Sequence, residues 1–379
     1  MACGSDPVTG GDAAADAMVD AATDTSTSTD AGSDATSGDG GSSALLGAFI
    51  YQDVTQNTNN NRIGLTSDGK LIDAYQYDIL KATKGGKVSY GDPTFTRLSN
   101  GRWAMTAWTG FEDTHGSNQL MYHEAACPNV VDADVKTLGA KTAVGCKASK
   151  AVTGGKTSQI FEVNGSNYVF SNINGELYMT RLTDSTHKAT DLDALCIKET
   201  APTKLADLAW GETMLAVSKT LANGILLSDS GIARRKDGTW VLFLKGYPTT
   251  AGCTGPGLCE LCARGIYRST STDLITWTTP VKLFDKASVP DATTYPDGSV
   301  WVYWQDFTAT CAAQDEKLAQ RAPISGAYEL ADLTLSTRVA VSIPKEAFET
   351  DTKLHYPTNG NPIPLPDNAA KAALEACLK

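Results

Sequence analysis

Aspartates open three of the four copies of a repeated phrase, and a fold that gathers them could support acid–base chemistry. The copies begin at Asp92, Ser158, Asp229 and Asp291, at spacings of 66, 71 and 62 residues. Each copy runs to an Asn-Gly or Asp-Gly turn and then into a strand rich in aromatic and β-branched residues. Carboxyl groups packed together repel, so one can hold a proton to donate while another accepts one. The same oxygens could instead bind a cation such as Ca²⁺.

The length of the repeat predicts the fold that would position these aspartates. Repeats of 62 to 71 residues made of short strands and turns are typical of a β-propeller with one blade per repeat. The first strand of each four-stranded blade lies innermost, and propellers bind ligands where the blades converge on the axis. Residues 44–379 are long enough for five blades. We therefore predict an all-β chain, a five-bladed β-propeller.

The two ends of the folded region are predicted to share one blade. Residues 47–78 supply three strands but no innermost strand. Near the C-terminus, Asn361-Pro-Ile-Pro is similar to a degenerate copy of Asp92-Pro-Thr-Phe. A C-terminal strand that joins the N-terminal strands would close the ring and remove exposed sheet edges. Residues 368–378 are rich in helix formers and predict a short terminal helix pinned by Cys377.

Residues 1–43 differ sharply in composition from the rest of the chain. They are almost entirely Ala, Asp, Gly, Ser and Thr, with eight Asp and no Lys or Arg. Such a segment cannot bury enough apolar surface to offset its chain entropy, so we interpret it as a disordered tether. It carries −8 of the net charge of −11, which leaves −3 for residues 44–379. A near-neutral body without a basic stripe argues against a nucleic-acid partner.

The nine cysteines indicate an oxidising compartment. Cys3 stands alone before the tether, and the other eight are an even number, compatible with four disulfides. Ala2-Cys3-Gly4-Ser5 followed by a flexible segment resembles the mature start of a bacterial lipoprotein, in which the cysteine is acylated. We predict an exported monomer held at the bacterial outer membrane or cell surface through Cys3, and otherwise a periplasmic or secreted protein. No apolar run is long enough to span a membrane, so the lipid would be the membrane contact.

A second phrase resembles a known family. Ser271-Thr-Asp273-Leu-Ile-Thr-Trp277 resembles the Ser-x-Asp-Leu-x-x-Trp turn of five-bladed glycoside hydrolases of families 43 and 32. The Asp92-Pro93 opening and the Asp-Gly turns before Trp240 and Trp301 fit the same families, over most of residues 44–365. The resemblance implies an axial pocket for a poly- or oligosaccharide. It also implies a general base, an orienting carboxylate and a general acid on successive innermost strands.

The resemblance can be carried over position by position. Asp92 falls on the general base, Ser158 on the orienting aspartate, and Asp229 on the general acid. Ser158 cannot supply charge, and Asp229 is one methylene shorter than the glutamate of the family. Asp291 could take the orienting role, and the loop carboxylate Glu260 could replace Asp229 as the acid.

Loops after the second strand of each blade should overhang the same end of the axis. We place Glu112 and Asp306 in those loops as substrate-binding carboxylates. The aromatic side chains that end these strands could stack on a sugar ring, and they are Trp108, Tyr247 and Trp304. Packing within the blade is the alternative for all three, because one face of each strand must be core.

Two functions stay open at this point. The first is a glycoside hydrolase-like protein that processes carbohydrate at the axis. The second is a non-catalytic surface glycan-binding propeller that has lost the catalytic triad, which the serine at position 158 favours. Neither needs a cofactor, although Ca²⁺ could bind at the axis. The spacing of Cys259 and Cys262 would suit a metal, but with no histidine nearby it favours disulfides, so we predict no metal site.

Overall fold

The propeller fold predicted from the repeat is confirmed. The computed structural model describes residues 47–55, 58–70, 74–80, 90–109, 120–128, 136–138, 159–173, 175–183, 196–198, 200–248, 257–315, 318, 322–343 and 356–378. These residues form five β-sheets, each of which is one blade.

Each blade begins with its innermost strand at the axis and continues outwards strand by strand. Blade 1 contains β21 (Tyr356–Pro364), β1 (Gly47–Thr55), β2 (Thr58–Thr66) and β3 (Ala74–Leu80). Blade 2 contains β4 (Tyr90–Arg97), β5 (Trp103–Thr109), β6 (Leu120–Ala125) and β7 (Lys136–Leu138). Blade 3 contains β8 (Ile160–Val163), β9 (Ser166–Ile173), β10 (Glu176–Thr183), β12 (Glu212–Val217) and β11 (Cys196–Ile197). Blade 4 contains β13 (Ile225–Arg234), β14 (Trp240–Pro248), β15 (Gly265–Ser271) and β16 (Val281–Asp285). Blade 5 contains β17 (Ala287–Thr294), β18 (Val300–Asp306), β19 (Ile324–Tyr328) and β20 (Val339–Ala340).

The first strand of each blade faces the first strands of its neighbours, which defines the axis. Strand β13 contacts β17, β17 contacts β21, β21 contacts β4, and β4 contacts β8. The predicted closure of the ring is also confirmed, because β21 pairs antiparallel with β1, with Asn361 opposite Ile50. One blade is thus assembled from both ends of the folded region, so the ring has no open edge at the join.

Apolar clusters fill the spaces between neighbouring blades. Between blades 3 and 4, Phe161 stacks on Phe170 at 5.2 Å and lies against Trp240. Between blades 5 and 1, Phe49 meets Tyr303 edge to face at 4.9 Å. Because a blade is covered on both faces, its middle strands are buried along nearly their whole length. This explains why β14 and β18 appear in the sequence as apolar blocks and not as a strict alternation.

Three innermost strands contain a β-bulge near the predicted site. The register with the second strand shifts between Gly91 and Thr94 in β4, and between Leu227 and Ser230 in β13. It shifts again between Ser288 and Asp291 in β17. A bulge adds an unpaired residue and turns the neighbouring side chains to new directions. These bulges decide where the aspartates of the repeat point.

Some elements differ from the prediction. Blade 3 has a fifth strand, because β11 adds to β12 in parallel. The outer strand of blade 4 is β16. The Ser271–Trp277 phrase before it forms a turn, in which Asp273 accepts the backbone N–H of Thr276 at 2.7 Å and Trp277 is buried.

Three short α-helices accompany the blades in the described part of the chain. Helix α1 (Leu258–Ala263) follows β14, and α2 (Thr308–Ala313) follows β18. Helix α3 (Asn368–Leu378) is the predicted terminal helix, and the Cys127–Cys377 disulfide confirms that Cys377 pins it. A second disulfide, Cys262–Cys311, joins α1 to α2. None of the described helices is long and apolar enough to cross a membrane.

Candidate functional site at the propeller axis

Asp229 lies at the centre of the candidate site. It sits in the bulge of β13 and has no exposed surface. The ammonium of Lys245, on the neighbouring strand β14, forms a salt bridge with Asp229 Oδ2, and the Lys245 side chain is only 6% exposed. The hydroxyl of Ser228 donates to the same oxygen at 3.2 Å. A carboxylate beside an ammonium favours the ionised form, whereas the predicted role of general acid requires a bound proton.

Asp291 lies on the neighbouring innermost strand, also buried at 2% exposure. The prediction that the aspartates open their strands is wrong for all three, because β4 begins at Tyr90, β13 at Ile225 and β17 at Ala287. Asp291 follows the bulge of its strand and lies opposite Tyr303. Asp92 and Asp229 lie five residues before the last paired residue of their strands, whereas Asp291 lies only three before Thr294. Asp291 is therefore two residues nearer the turn that ends its strand than Asp92 and Asp229 are in theirs.

Gly231 lets the strands that carry these two aspartates touch. A Cβ atom at Gly231 would lie 2.5 Å from the amide N of Ala292 and 2.7 Å from Cα of Asp291. Both neighbours are backbone atoms, which cannot move aside as a side chain can. Strands β13 and β17 therefore touch where Gly231, two residues after Asp229, faces the backbone of Asp291.

Two buried amides join the innermost strands, and the sequence did not identify either. Gln159 accepts the N–H of Ile232 at 2.8 Å and donates to the carbonyl of Ala292 at 2.6 Å, so it joins blades 3, 4 and 5. Asn361 accepts the N–H of Phe95 at 2.7 Å and joins blade 1 to blade 2. Gln159 directly follows position 158, which the resemblance assigns to the orienting aspartate. The residue next to that position is therefore a neutral amide.

Several predicted residues lie outside the part of the chain that the structure describes. Ser158, Glu112 and Cys3 are among them. The backbones of Asp92 and Trp108 are described, in the bulge of β4 and in β5 respectively, but not their side chains. Their assigned roles stay predictions.

The two remaining aromatic candidates lie in different environments. Trp304 has no exposed surface and stacks on Phe284 with ring centroids 4.5 Å apart. A ring that binds sugar must expose a face, so this packing corresponds to the structural alternative, and we leave Trp304 out of the candidate site. Tyr247 is partly exposed near the end of β14.

Asp306 is held within blade 5. It accepts from Arg338 at 2.9 Å, from the hydroxyl of Ser325 at 2.9 Å and from the N–H of Thr308 at 2.9 Å. Burial alone would raise the pKa of Asp306, but the hydrogen bonds from Thr308, the charge of Arg338 and the Ser325 hydroxyl bring it below its usual value. These contacts occupy both oxygens, so they anchor the start of α2 and leave little capacity for a ligand.

Glu260 lies on α1, at the end of the propeller where β13 begins. It pairs with Arg264 at 2.8 Å, and Arg264 also donates to Ser288 of β17 at 3.3 Å. Both residues that the sequence offered as the general acid are thus in contact with a cation. Among the described residues, no three His, Cys, Asp or Glu side chains are close enough together to hold a metal ion.

Comparisons with known proteins found similar proteins among solved structures only. No protein-family model matches the sequence, and no curated protein matches it. Among solved structures, it resembles an exo-β-1,3-galactanase from Clostridium thermocellum, with 12% identity, 77% of this chain and 59% of that chain covered, and a TM-score of 0.49. It also resembles an α-L-arabinanase from Penicillium chrysogenum, with 10% identity, 65% of this chain and 62% of that chain covered, and a TM-score of 0.36. An α-L-arabinofuranosidase from Podospora anserina has 13% identity, 71% of this chain and 72% of that chain covered, and a TM-score of 0.38.

These likenesses carry no conclusion about activity, since identity is low and every TM-score quoted is below 0.5. The chain spans about three fifths of the galactanase and of the arabinanase. The chemistry must therefore be argued from the residues of the axial site.

Proposed function

We propose that this protein processes a poly- or oligosaccharide at the propeller axis, as a glycoside hydrolase-like protein. The observation that carries the proposal is the pair Asp229 and Asp291, two buried carboxyl groups on innermost strands that touch at Gly231. Asp92, in the corresponding bulge of β4, would be the general base. Hydrolysis of a glycosidic bond needs two carboxyl groups on opposite sides of the sugar, and innermost strands of different blades would supply them.

A specific observation favours the alternative of a non-catalytic glycan-binding propeller. Asp229 contacts Lys245, and Glu260 contacts Arg264, so each candidate acid has a cationic partner. A general acid must hold its proton until the leaving oxygen takes it. Under this alternative, the axial carboxylates would only accept hydrogen bonds from sugar hydroxyls.

The sugar is proposed to be neutral in both cases. Asp92, Asp229 and Asp291 place three carboxyl groups on innermost strands, and Lys245 is paired with one of them. A uronic acid would bring a further carboxylate next to these groups, whereas a neutral glycan would not. Aromatic stacking would then fall to Trp108 and Tyr247.

The experiment is reducing-sugar release by the full chain from a panel of polysaccharides and aryl glycosides, with binding to a glycan array measured in parallel. Asp92→Asn and Asp291→Asn are the test variants, and Asp237→Asn, in the exposed turn at the opposite end of β13 from Asp229, is the control. Loss of release by about 100-fold or more in Asp92→Asn, with the control unchanged, is the expected result for a hydrolase.

The other outcomes separate the alternatives. Binding to a neutral glycan without release, lost in Asp291→Asn, would support the non-catalytic function. Neither release nor binding on any glycan would contradict both. Repeating the assays with a chelator tests for Ca²⁺, which we do not propose as a requirement.

We further propose that the protein is exported and acts as a monomer. The disulfides Cys127–Cys377 and Cys262–Cys311 are of the kind that persists in oxidising compartments. Acylation of Cys3 would hold it at the bacterial surface, and mass spectrometry of the N-terminal peptide from native membranes would reveal the lipid.

A further inference from the structure

Lys245 is a buried cation that the proposed chemistry has not yet used. It lies on β14 directly across from the bulge of β13, in salt-bridge contact with Asp229 Oδ2. The side chains are 6% and 0% exposed. The hydroxyl of Ser228 donates to the same carboxylate oxygen. Lysine is rarely buried so fully unless it is paired.

The salt bridge is not needed to hold the two strands together. Backbone pairing continues on both sides of the bulge, with Leu227 opposite Gly246 and Ser230 opposite Leu244. Removing two charges from water is costly, and apolar residues in their place are often as stable or more stable. A buried ion pair at a bulge of an innermost strand therefore indicates a role for the charge itself.

The other charged groups around these strands have partners of their own. On the elements that pack against β13 and β14, these groups are Asp291 of β17, Asp306 of β18, Glu260 and Arg264 at α1, Arg268 of β15, and Glu176 and Arg181 of β10. Arg264 pairs with Glu260, Arg268 with Glu329, and Asp306 with Arg338. Among the residues that the structure describes, Lys245 is a cation in salt-bridge contact with Asp229.

We propose that Lys245 is a positioning residue that keeps Asp229 ionised within the axial site, so that Asp229 is a fixed anion and not the proton donor. This inference rests on the proposed function for its role, since it decides how the axial carboxyl groups share charge. Without the ammonium, Asp229 would be a buried carboxyl group, and burial favours the protonated form. With it, Asp229 can stay ionised and can oppose positive charge that develops on a sugar ring.

The test measures the charge of Asp229 directly, without any sugar. The full chain is labelled with ¹³C at the aspartate side-chain carboxyl carbons, and the Asp229 signal is assigned by its loss in Asp229→Asn. In the wild type we expect this signal to keep the chemical shift of an ionised carboxylate between about pH 5 and 8. Lys245→Met should bring protonation of the axial carboxyl groups into that range, and Lys245→Arg should restore the wild-type behaviour.

Arg264→Met is the matched control, because it removes the cation of the other pair. It should leave the Asp229 signal unchanged. A protonated Asp229 in the wild type near neutral pH would overturn the proposal, as would identical titrations of wild type and Lys245→Met. If Lys245→Met does not fold, the wild-type titration decides alone. Absence of glycan binding would contradict the proposed function but leave this charge assignment standing.

Discussion

Asp306 has the sequence features of a ligand-binding residue, but its contacts stabilise the fold. It ends β18, the second strand of blade 5, at the predicted end of the axis. Its carboxylate is nevertheless enclosed by Arg338, Ser325 and Thr308, all within 2.9 Å. Arg338 comes from 32 residues further along the chain, so no local pattern could have predicted the pair. The hydrogen bonds that this carboxylate accepts join β18 to β19 and to α2.

The lowered pKa of Asp306 predicts a pH-dependent contribution to stability. Because its pKa is lower in the folded than in the unfolded state, the contribution is fully present above the unfolded value of about 3.9 and is lost as the pH falls through the folded value. Asp306→Asn should therefore lower the free energy of unfolding at pH 7 by about 1–3 kcal/mol. The difference from wild type should shrink as the pH falls below about 4.

Chemical denaturation at a series of pH values checks this, with the disulfides intact. Asp297→Asn is the control, because Asp297 lies in an exposed turn of the same blade. A difference between Asp306→Asn and wild type that stays constant down to pH 3 would contradict the assigned cause.

At the scale of elements, the sequence predicts strands well and their register poorly. The repeat located all five innermost strands, because apolar blocks bounded by Asn-Gly and Asp-Gly turns reflect local chain preferences. It could not locate the bulges, which depend on how a strand meets its neighbour. The position of Asp291 is visible in the spacing, because it lies six residues before Asp297, whereas Asp229 lies eight before Asp237. The bulges are the reason that the sequence does not predict the roles of Lys245 and Gln159. Their partners, Asp229 and Ala292, lie 16 and 133 residues away.

The contact of β13 with β17 gives a prediction at this scale. In Gly231→Ala, the new methyl group would overlap the backbone of Asp291 and Ala292, so the strands must separate. We expect a loss of about 1–3 kcal/mol in the free energy of unfolding, as for other overpacked sites. Glycan binding or release should fall as well, because the separation displaces both aspartates.

Gly246→Ala, on the adjacent strand β14, is the matched control. Its methyl group would meet side chains, Ile225 at 2.6 Å and the ring of Tyr267 at 2.8 Å, and side chains can rotate away. The loss of stability measured by denaturation should be smaller than for Gly231→Ala. Equal losses would mean that the backbone contact of β13 with β17 is not the constraint we describe.

At the scale of the whole molecule, the ring is held closed by a strand and a disulfide that lie far apart in the sequence. Strand β21 completes blade 1, and α3 follows it with Ala370 and Leu374 buried. Cys377 then joins Cys127, just after β6 of blade 2. Asn361 adds a hydrogen bond from β21 to β4. The C-terminal segment is thereby fixed to β1 within blade 1 and to the neighbouring blade 2. These contacts keep the innermost strands in place around the axis.

Replacing both cysteines, Cys127→Ser with Cys377→Ser, should therefore loosen the join before the rest of the ring. The disulfide closes a loop of 250 residues, and the chain-entropy model gives it a stabilisation of about 5 kcal/mol. Hydrogen–deuterium exchange should quicken first in β21 and β1, while β14 and β18 stay protected. The Cys262→Ser, Cys311→Ser pair, which opens a loop of 49 residues, should instead quicken exchange around α1 and α2. Uniform exchange across all five blades in the first variant would mean that the ring unfolds as one unit and that its closure is not the weakest point.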